Sequence, residues 1–132
     1  NIQDLAATLY QVSVLVANRQ PGLDVQMTQE GHTVYLPLEL KQHIVAICRE
    51  AIINIVKHAQ ATKVELTIVW QKTHLRISIK DNGTGIQTKT DQTDSFGLNM
   101  MFERAAEINA SMKLKSQARQ GLEIILRIPL TE

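Results

Sequence analysis

The run from residue 38 to residue 59 constrains this chain most. Ile44, Cys48, Ile52, Ile55, Val56 and Ala59 recur at three- and four-residue steps, so they share one face of a long helix. That face is rich in isoleucine and has to be held by a core. The next segments have a different period. Val64, Leu66, Ile68 and Trp70 alternate with Glu65, Thr67 and Val69, and Leu75, Ile77 and Ile79 alternate with Arg76, Ser78 and Lys80. A period of two predicts strands over 63–70 and 75–80, and Gln71 to His74 is short enough for a hairpin connection. Trp70 reads as core or edge packing.

The other elements fit around that unit. Ile2, Leu5, Leu9, Val12 and Val16 predict a helix over 2–18, ended by Pro21-Gly22. Leu23, Val25 and Met27 read as a short half-buried strand, Gly31 opens a loop, and Pro37 suits the first turn of the long helix. A polar loop over Gln87–Ser95 precedes a third helix opening at Phe96-Gly97, with Leu98, Met101, Ala105 and Ile108 on one stripe. Met112, Leu114 and Ser116 alternate with Lys113 and Lys115, and a final strand runs from Gly121 through Leu122, Ile124, Leu126 and Ile128 to Pro129. The expected fold is α+β: a two-layer α/β sandwich in which three helices cover one face of a mixed, mostly antiparallel sheet of about five strands.

A chain of 132 residues, 44% apolar and 20% charged, suits one globular domain over 1–132. With 14 basic and 13 acidic residues, no basic run and few aromatics, nucleic-acid binding has no support. The single cysteine, Cys48, lies in the long helix pattern, which leaves no disulfide framework and no metal-ligand spacing. No apolar run is long enough to cross a membrane.

The polar groups carry the chemistry. At about 100° per residue, Glu50, Asn54, Lys57 and His58 fall in one arc of the long helix, opposite its apolar face. This is the pattern of a solvated face, or of a site. Asp81-Asn82-Gly83-Thr84-Gly85 follows the second hairpin strand, with Ile86 behind it. It reads as a turn, or as a place where two glycines admit a flat ligand beside a carboxylate. Asn54 offers a neutral oxygen of the kind magnesium accepts, and Glu50, one turn before it, can hold a metal-bound water. Lys57 and His58 can meet a phosphate. Gly97, Leu98 and Asn99 open a helix whose backbone N–H groups suit anions. No Walker-type glycine-lysine run occurs.

Three stretches then carry a resemblance. Arg49-Glu50-Ala51-Ile52-Ile53-Asn54-Ile55-Val56-Lys57-His58-Ala59 resembles the N box of sensor histidine kinases. Asp81-Asn82-Gly83-Thr84-Gly85 resembles their G1 box, and Phe96-Gly97-Leu98-Asn99-Met100-Met101-Phe102-Glu103-Arg104-Ala105 resembles their G2 box. The order and spacing are similar to those of the superfamily that histidine kinases share with gyrase, the Hsp90 chaperone and MutL. Lys57-His58 and Glu103-Arg104-Ala105 are similar to kinases serving LuxR/NarL-type response regulators, and Gly97 to Met101 to the variant of nitrate/nitrite sensor kinases.

The resemblance implies the Bergerat sandwich with bound ATP and Mg2+. It implies Asp81 on the adenine amino group, a pocket shaped by Gly83, Gly85 and Ile86, and Asn54 on magnesium with Glu50 behind it. Lys57, His58 and the backbone of Gly97, Leu98 and Asn99 would hold phosphates, under a lid formed by Gln87–Ser95. Many relatives have Gly at the place of Met100, Arg at that of Phe102 and Thr at that of Leu122. The implied partners are a separate helical dimerisation domain bearing the acceptor histidine and a response-regulator receiver. The implied setting is a cytoplasmic domain of a dimeric protein anchored in the bacterial inner membrane. His32, His43, His58 and His74 are not in an acceptor motif. Other readings are a free-standing ATPase or serine kinase of the superfamily, or a degenerate module that binds a partner.

Overall fold

The computed structural model describes residues 4–84, 97–117 and 120–130. In chain order the elements are α1 (Leu5–Ala17), β1 (Asp24–Glu30), α2 (Leu38–Asn54), a π-helical turn (Ile55–Ala59), β2 (Lys63–Trp70), β3 (His74–Asp81), α3 (Leu98–Glu107), β4 (Ser111–Gln117) and β5 (Gly121–Pro129). The strands form one sheet in the order β1-β2-β3-β5-β4. Among the described strands only the β1–β2 pairing is parallel, because α2 carries the chain back across one face before β2 begins.

Strand register separates the two faces of the sheet. Val64, Leu66, Ile68 and Trp70 on β2 are buried with Leu75, Ile77 and Ile79 on β3 and with Ile124, Leu126 and Ile128 on β5. They meet Leu5, Leu9 and Val16 of α1, Ile44, Ile47, Cys48 and Ile52 of α2, and Leu98 and Met101 of α3 in one core. This is the expected two-layer sandwich. The opposite face is polar. Glu65, Lys80, Glu123 and Lys115 stand side by side on β2, β3, β5 and β4, with charge alternating across the row. Such pairs contribute roughly 0.2–1 kcal/mol each.

Ile44 and Ile52 are fully covered. Burying a side chain of that size contributes about 1.5–3 kcal/mol, so α2 is fixed along its length. Trp70 is buried at the β1 side, where its indole N–H donates to Gln29 Oε1 at 2.8 Å, as its packing role required. No helix among the described residues is long and apolar enough to cross a membrane.

Several boundaries differ from the sequence expectations. The first helix begins at Leu5, where the Asp4 carboxylate accepts the Ala6 N–H at 3.0 Å and so caps it. β1 runs on to Glu30, because its parallel partner β2 continues through Val69. His74 is the first residue of β3 and not a loop residue. His43 keeps only 17% of its side chain exposed and lies 3.6 Å from Glu107 at the end of α3. The long helix is α-helical only to Asn54; from Ile55 to Ala59 it widens into a π turn.

Candidate active site

Asp81 ends β3 and faces the helices, since it has the same strand parity as Leu75, Ile77 and Ile79. It is 2% exposed. Burial pushes its pKa up, while backbone N–H groups of Gly83 and Leu122 pull the other way. The Gly83 N–H reaches Asp81 Oδ1 at 2.7 Å. The carboxylate is thus desolvated, oriented from two directions and built into the fold.

Two glycines allow that placement. A Cβ on Gly83 would lie 2.1 Å from the Ala59 carbonyl oxygen. A Cβ on Gly121 would lie 2.0 Å from the Asp81 carbonyl oxygen and 3.0 Å from Asp81 Oδ1, at a φ of +88°. Asn82 fixes the turn from outside. Its amide oxygen accepts from the N–H groups of Thr62 and Lys63 at 2.9 and 3.0 Å, and its amide nitrogen donates to Thr62 Oγ1 at 2.9 Å.

The loop after β3 also joins the long helix. Thr84 N–H donates to the Ala59 carbonyl at 2.8 Å. Ala59 closes the π turn that begins one residue after Asn54, so one short turn separates the Asp81 loop from Asn54. π turns recur at functional sites. The wider turn also undoes the constant 100° step: Lys57 and His58 are not where an α-helix would put them, and Lys57 is exposed while His58 is half-buried.

Glu50 and Asn54 are one turn apart on α2, and the start of α3 lies over them. Asn54, which the sequence placed opposite the apolar face of its helix, is 8% exposed. Its amide nitrogen contacts Met101 Sδ at 3.9 Å. Gly97 caps α3 with φ 66°, and a Cβ there would come within 2.9 Å of Glu50 Oε2. The helix closes with Met101 N–H on the Gly97 carbonyl at 3.3 Å. Leu98 packs into the core, leaving only its backbone for a ligand, and Asn99 is exposed. Gly85, Ile86 and the Gln87–Ser95 loop lie outside the described residues.

The fold therefore gathers Glu50, Asn54, Asp81, Gly83 and Gly97 around the C-terminal half of the long helix. Sequence reasoning missed Gly121, Ala59 and the anchoring role of Asn82. Asn82 was legible in principle, because Asn bonds local backbone readily at turns. Gly121 and Ala59 act across the sheet and had no local signal. No group of three or more His, Cys, Asp or Glu that would hold a metal occurs among the described residues. The donor set is one amide and one carboxylate, which suits a cation that completes its shell with phosphate and water.

Residues 39–132 match the family described as histidine kinase-, DNA gyrase B-, and HSP90-like ATPase. The chain belongs to that family. Among curated proteins it is 31% identical over 118 residues to the sensor protein VraS of Staphylococcus epidermidis, covering 89% of the chain and 34% of the relative. It thus spans about a third of that protein. Among solved structures it is similar to the ATP binding domain of PrrB from Mycobacterium tuberculosis, at 26% identity and a TM-score of 0.80, covering 98% of this chain and 96% of that one. The histidine kinase domain of a blue-light activated kinase from Erythrobacter litoralis superposes with a TM-score of 0.82 at 21% identity, over 96% of this chain and 61% of that one. This histidine-kinase-like ATPase is an ATP-binding catalytic domain of the sensor-kinase kind. The curated relative is a VraS-type sensor, so the likeness of Gly97–Met101 to the nitrate/nitrite variant is not supported.

Proposed function

We propose that this domain binds Mg-ATP across the gap between Asp81 and Asn54 and donates the γ-phosphoryl to a histidine on a separate dimerisation domain. The phosphoryl would pass on to an aspartate of a LuxR/NarL-type response regulator. The observation that carries the proposal is Asp81: a buried carboxylate, held by two backbone N–H groups and reached by glycine on two sides. Such a group accepts hydrogen bonds from a flat amino-substituted ring, and adenine is one.

Each residue has a separate task. Asp81 takes the exocyclic amine, Gly83 packs its turn against Ala59 and orients the carboxylate through its N–H, and Gly85 and Ile86 shape the pocket. Asn54 offers its amide oxygen to the metal, and Glu50 orients a water or holds a proton beside it. Lys57, His58 and the backbone of Gly97, Leu98 and Asn99 hold the phosphates. Magnesium would neutralise charge on the β- and γ-phosphoryl oxygens. Positioning supplies the rest of the rate, so the isolated domain binds nucleotide but completes no transfer. VraS is a sensor protein; by analogy we place this domain in a dimeric, membrane-anchored parent, on its cytoplasmic side.

Calorimetry with a non-hydrolysable ATP analogue tests the site: binding should be tighter with magnesium and about 10- to 100-fold weaker in Asp81→Asn. Adding an acceptor domain in trans and assaying acid-labile phosphohistidine tests the transfer. Steady ATP turnover or serine phosphorylation by the domain alone would instead favour a free-standing ATPase or kinase.

A further inference from the structure

The outer face of the sheet, away from the helices, is not uniform in charge. Glu65, Lys80, Glu123 and Lys115 alternate in sign along one row. Two rows further on, the alternation fails. Arg76 of β3 stands directly opposite Arg127 of β5. Their neighbours in that row are neutral, Val69 on β2 and Ser111 on β4. Directly opposed side chains on antiparallel strands start about 4.5–5.5 Å apart, and like charges there repel. Lys113, on the row between, adds a third cation from β4.

The acids of this face are engaged elsewhere. Glu123 accepts from the Ser78 hydroxyl at 2.6 Å, and Glu65 lies 3.3 Å from Lys63. Glu30 closes the row on β1, but Val69 stands between it and Arg76. Among the described residues neither arginine makes an ion pair. The two are nonetheless held. Ser78 and Ile125 also face outward, opposite each other, and are only 5% and 8% exposed. The helices lie on the other face, so the long side chains beside Ser78 and Ile125 supply that cover. Arginine stems lie along apolar surface in this way and leave their charged ends in water.

Chemistry narrows the occupant. A guanidinium only donates, and its fixed fork matches a carboxylate two hydrogen bonds at a time. The large apolar side chains exposed among the described residues all lie off this face. A ring has nothing to stack on here, and a bilayer has no apolar side chain to take up. Carboxylates four positions apart on a helix are about 5–6 Å from each other, close to the spacing of the opposed pair.

We infer that Arg76 and Arg127 dock an acidic helix of a partner protein, which lays two carboxylates one turn apart onto the two guanidinium groups. Lys113 adds attraction from the side. This face lies across the sheet from Asp81 and Asn54, so the inference stands apart from nucleotide binding.

Four helical peptides of about 18 residues test it. The first carries Glu at two positions four apart. The second and third carry Gln or Lys at those positions. The fourth carries two Glu only two apart, on different sides of the helix. An NMR titration gives both affinity and place. The first peptide should bind tightest and shift the signals of Arg76, Lys113 and Arg127. Two exposed ion pairs are weak, so the Gln peptide should bind roughly 3- to 10-fold more weakly. The fourth peptide, equal in charge to the first, should also bind more weakly. An Arg76→Glu, Arg127→Glu double variant should prefer the Lys peptide, a reversal that unfolding cannot imitate. Arg127→Glu alone gives Arg76 a partner on its own sheet, so it should lose the first peptide and melt no lower than the parent. Equal binding of the two Glu peptides, no binding, shifts elsewhere or retained binding by Arg127→Glu would overturn the inference. So would tighter binding to phosphatidylglycerol vesicles than to the first peptide.

Discussion

The two ends of the candidate nucleotide site are built differently. At the Asp81 end the carboxylate is 2% exposed, two backbone N–H groups orient it, and Gly83 and Gly121 bring main chain to van der Waals limits. At the Gly97 end, Lys57, Asn99 and Met100 are exposed, and the helix start rests on a glycine in the left-handed region. One end is fixed by folding before any ligand arrives. The other offers backbone and flexible side chains that a ligand must order. Under the proposed function, the preorganised end would supply selectivity for the base, because its cost is met during folding. The open end would be where phosphates, metal and an acceptor come and go.

That contrast gives predictions of decreasing size. Gly121→Ala adds a Cβ 2.0 Å from the Asp81 carbonyl oxygen at a positive φ. It should destabilise the fold by roughly 3 kcal/mol, from overpacking and left-handed strain together. Thermal unfolding should show a drop of about 10 °C. A melting point unchanged within a degree would mean that the Asp81 end is not rigid.

Asp81→Asn should reduce ATP affinity by about 10- to 100-fold, the worth of a hydrogen bond to a charged acceptor. It should not destabilise the protein. Burial raises the folded-state pKa of Asp81, so the fold binds that proton more tightly than the unfolded chain does. The ionised form therefore costs stability, which falls as pH rises through the raised value. The variant should melt higher than the parent near pH 7, and the difference should close as pH falls below the ordinary value of 3.8. Nucleotide affinity of the parent should begin to fall at a pH above that value. A wild-type protein that melts higher than Asp81→Asn at pH 7 would contradict the assigned cause.

Asn54→Ala should weaken ATP by about 10-fold with magnesium present and much less without it, since only the metal's oxygen donor is lost. Equal losses under both conditions would point to a packing role through Met101. Lys57→Ala should have the smallest effect, about 3- to 5-fold on ATP and none on adenosine, as expected for an exposed point charge on phosphate. Calorimetry with both ligands separates the two. An equal effect on adenosine would mean that the open end also holds the base.

Much of the fold was legible because burial on one face imposes a period. The isoleucine stripe of α2 and the alternation in β2, β3 and β5 predicted the helix-covered sheet, and Asp81 and Asn54 stood out as polar groups at the ends of strongly patterned elements. The spacing left open whether Asn54 faces solvent or a site. Helical spacing places a residue on a side of its own helix and says nothing of a second helix, here α3 with Met101, laid over that side. Gly121 was seen only as the start of a strand, because its contact with Asp81 crosses forty residues of chain.

By itself the sequence determined the helices, the strands and the two-layer architecture, and set the carboxylate and amide of the candidate site at the ends of patterned elements. These follow from periodicity and local chemistry, which act between near neighbours along the chain. Only the tertiary structure decided that the long helix ends in a π turn, that its last carbonyl grips Thr84, and that Asp81 is sealed by a glycine on another strand. Those are close approaches between segments far apart in the chain. Side-chain volume and hydrogen-bond geometry settle them once the layers have met.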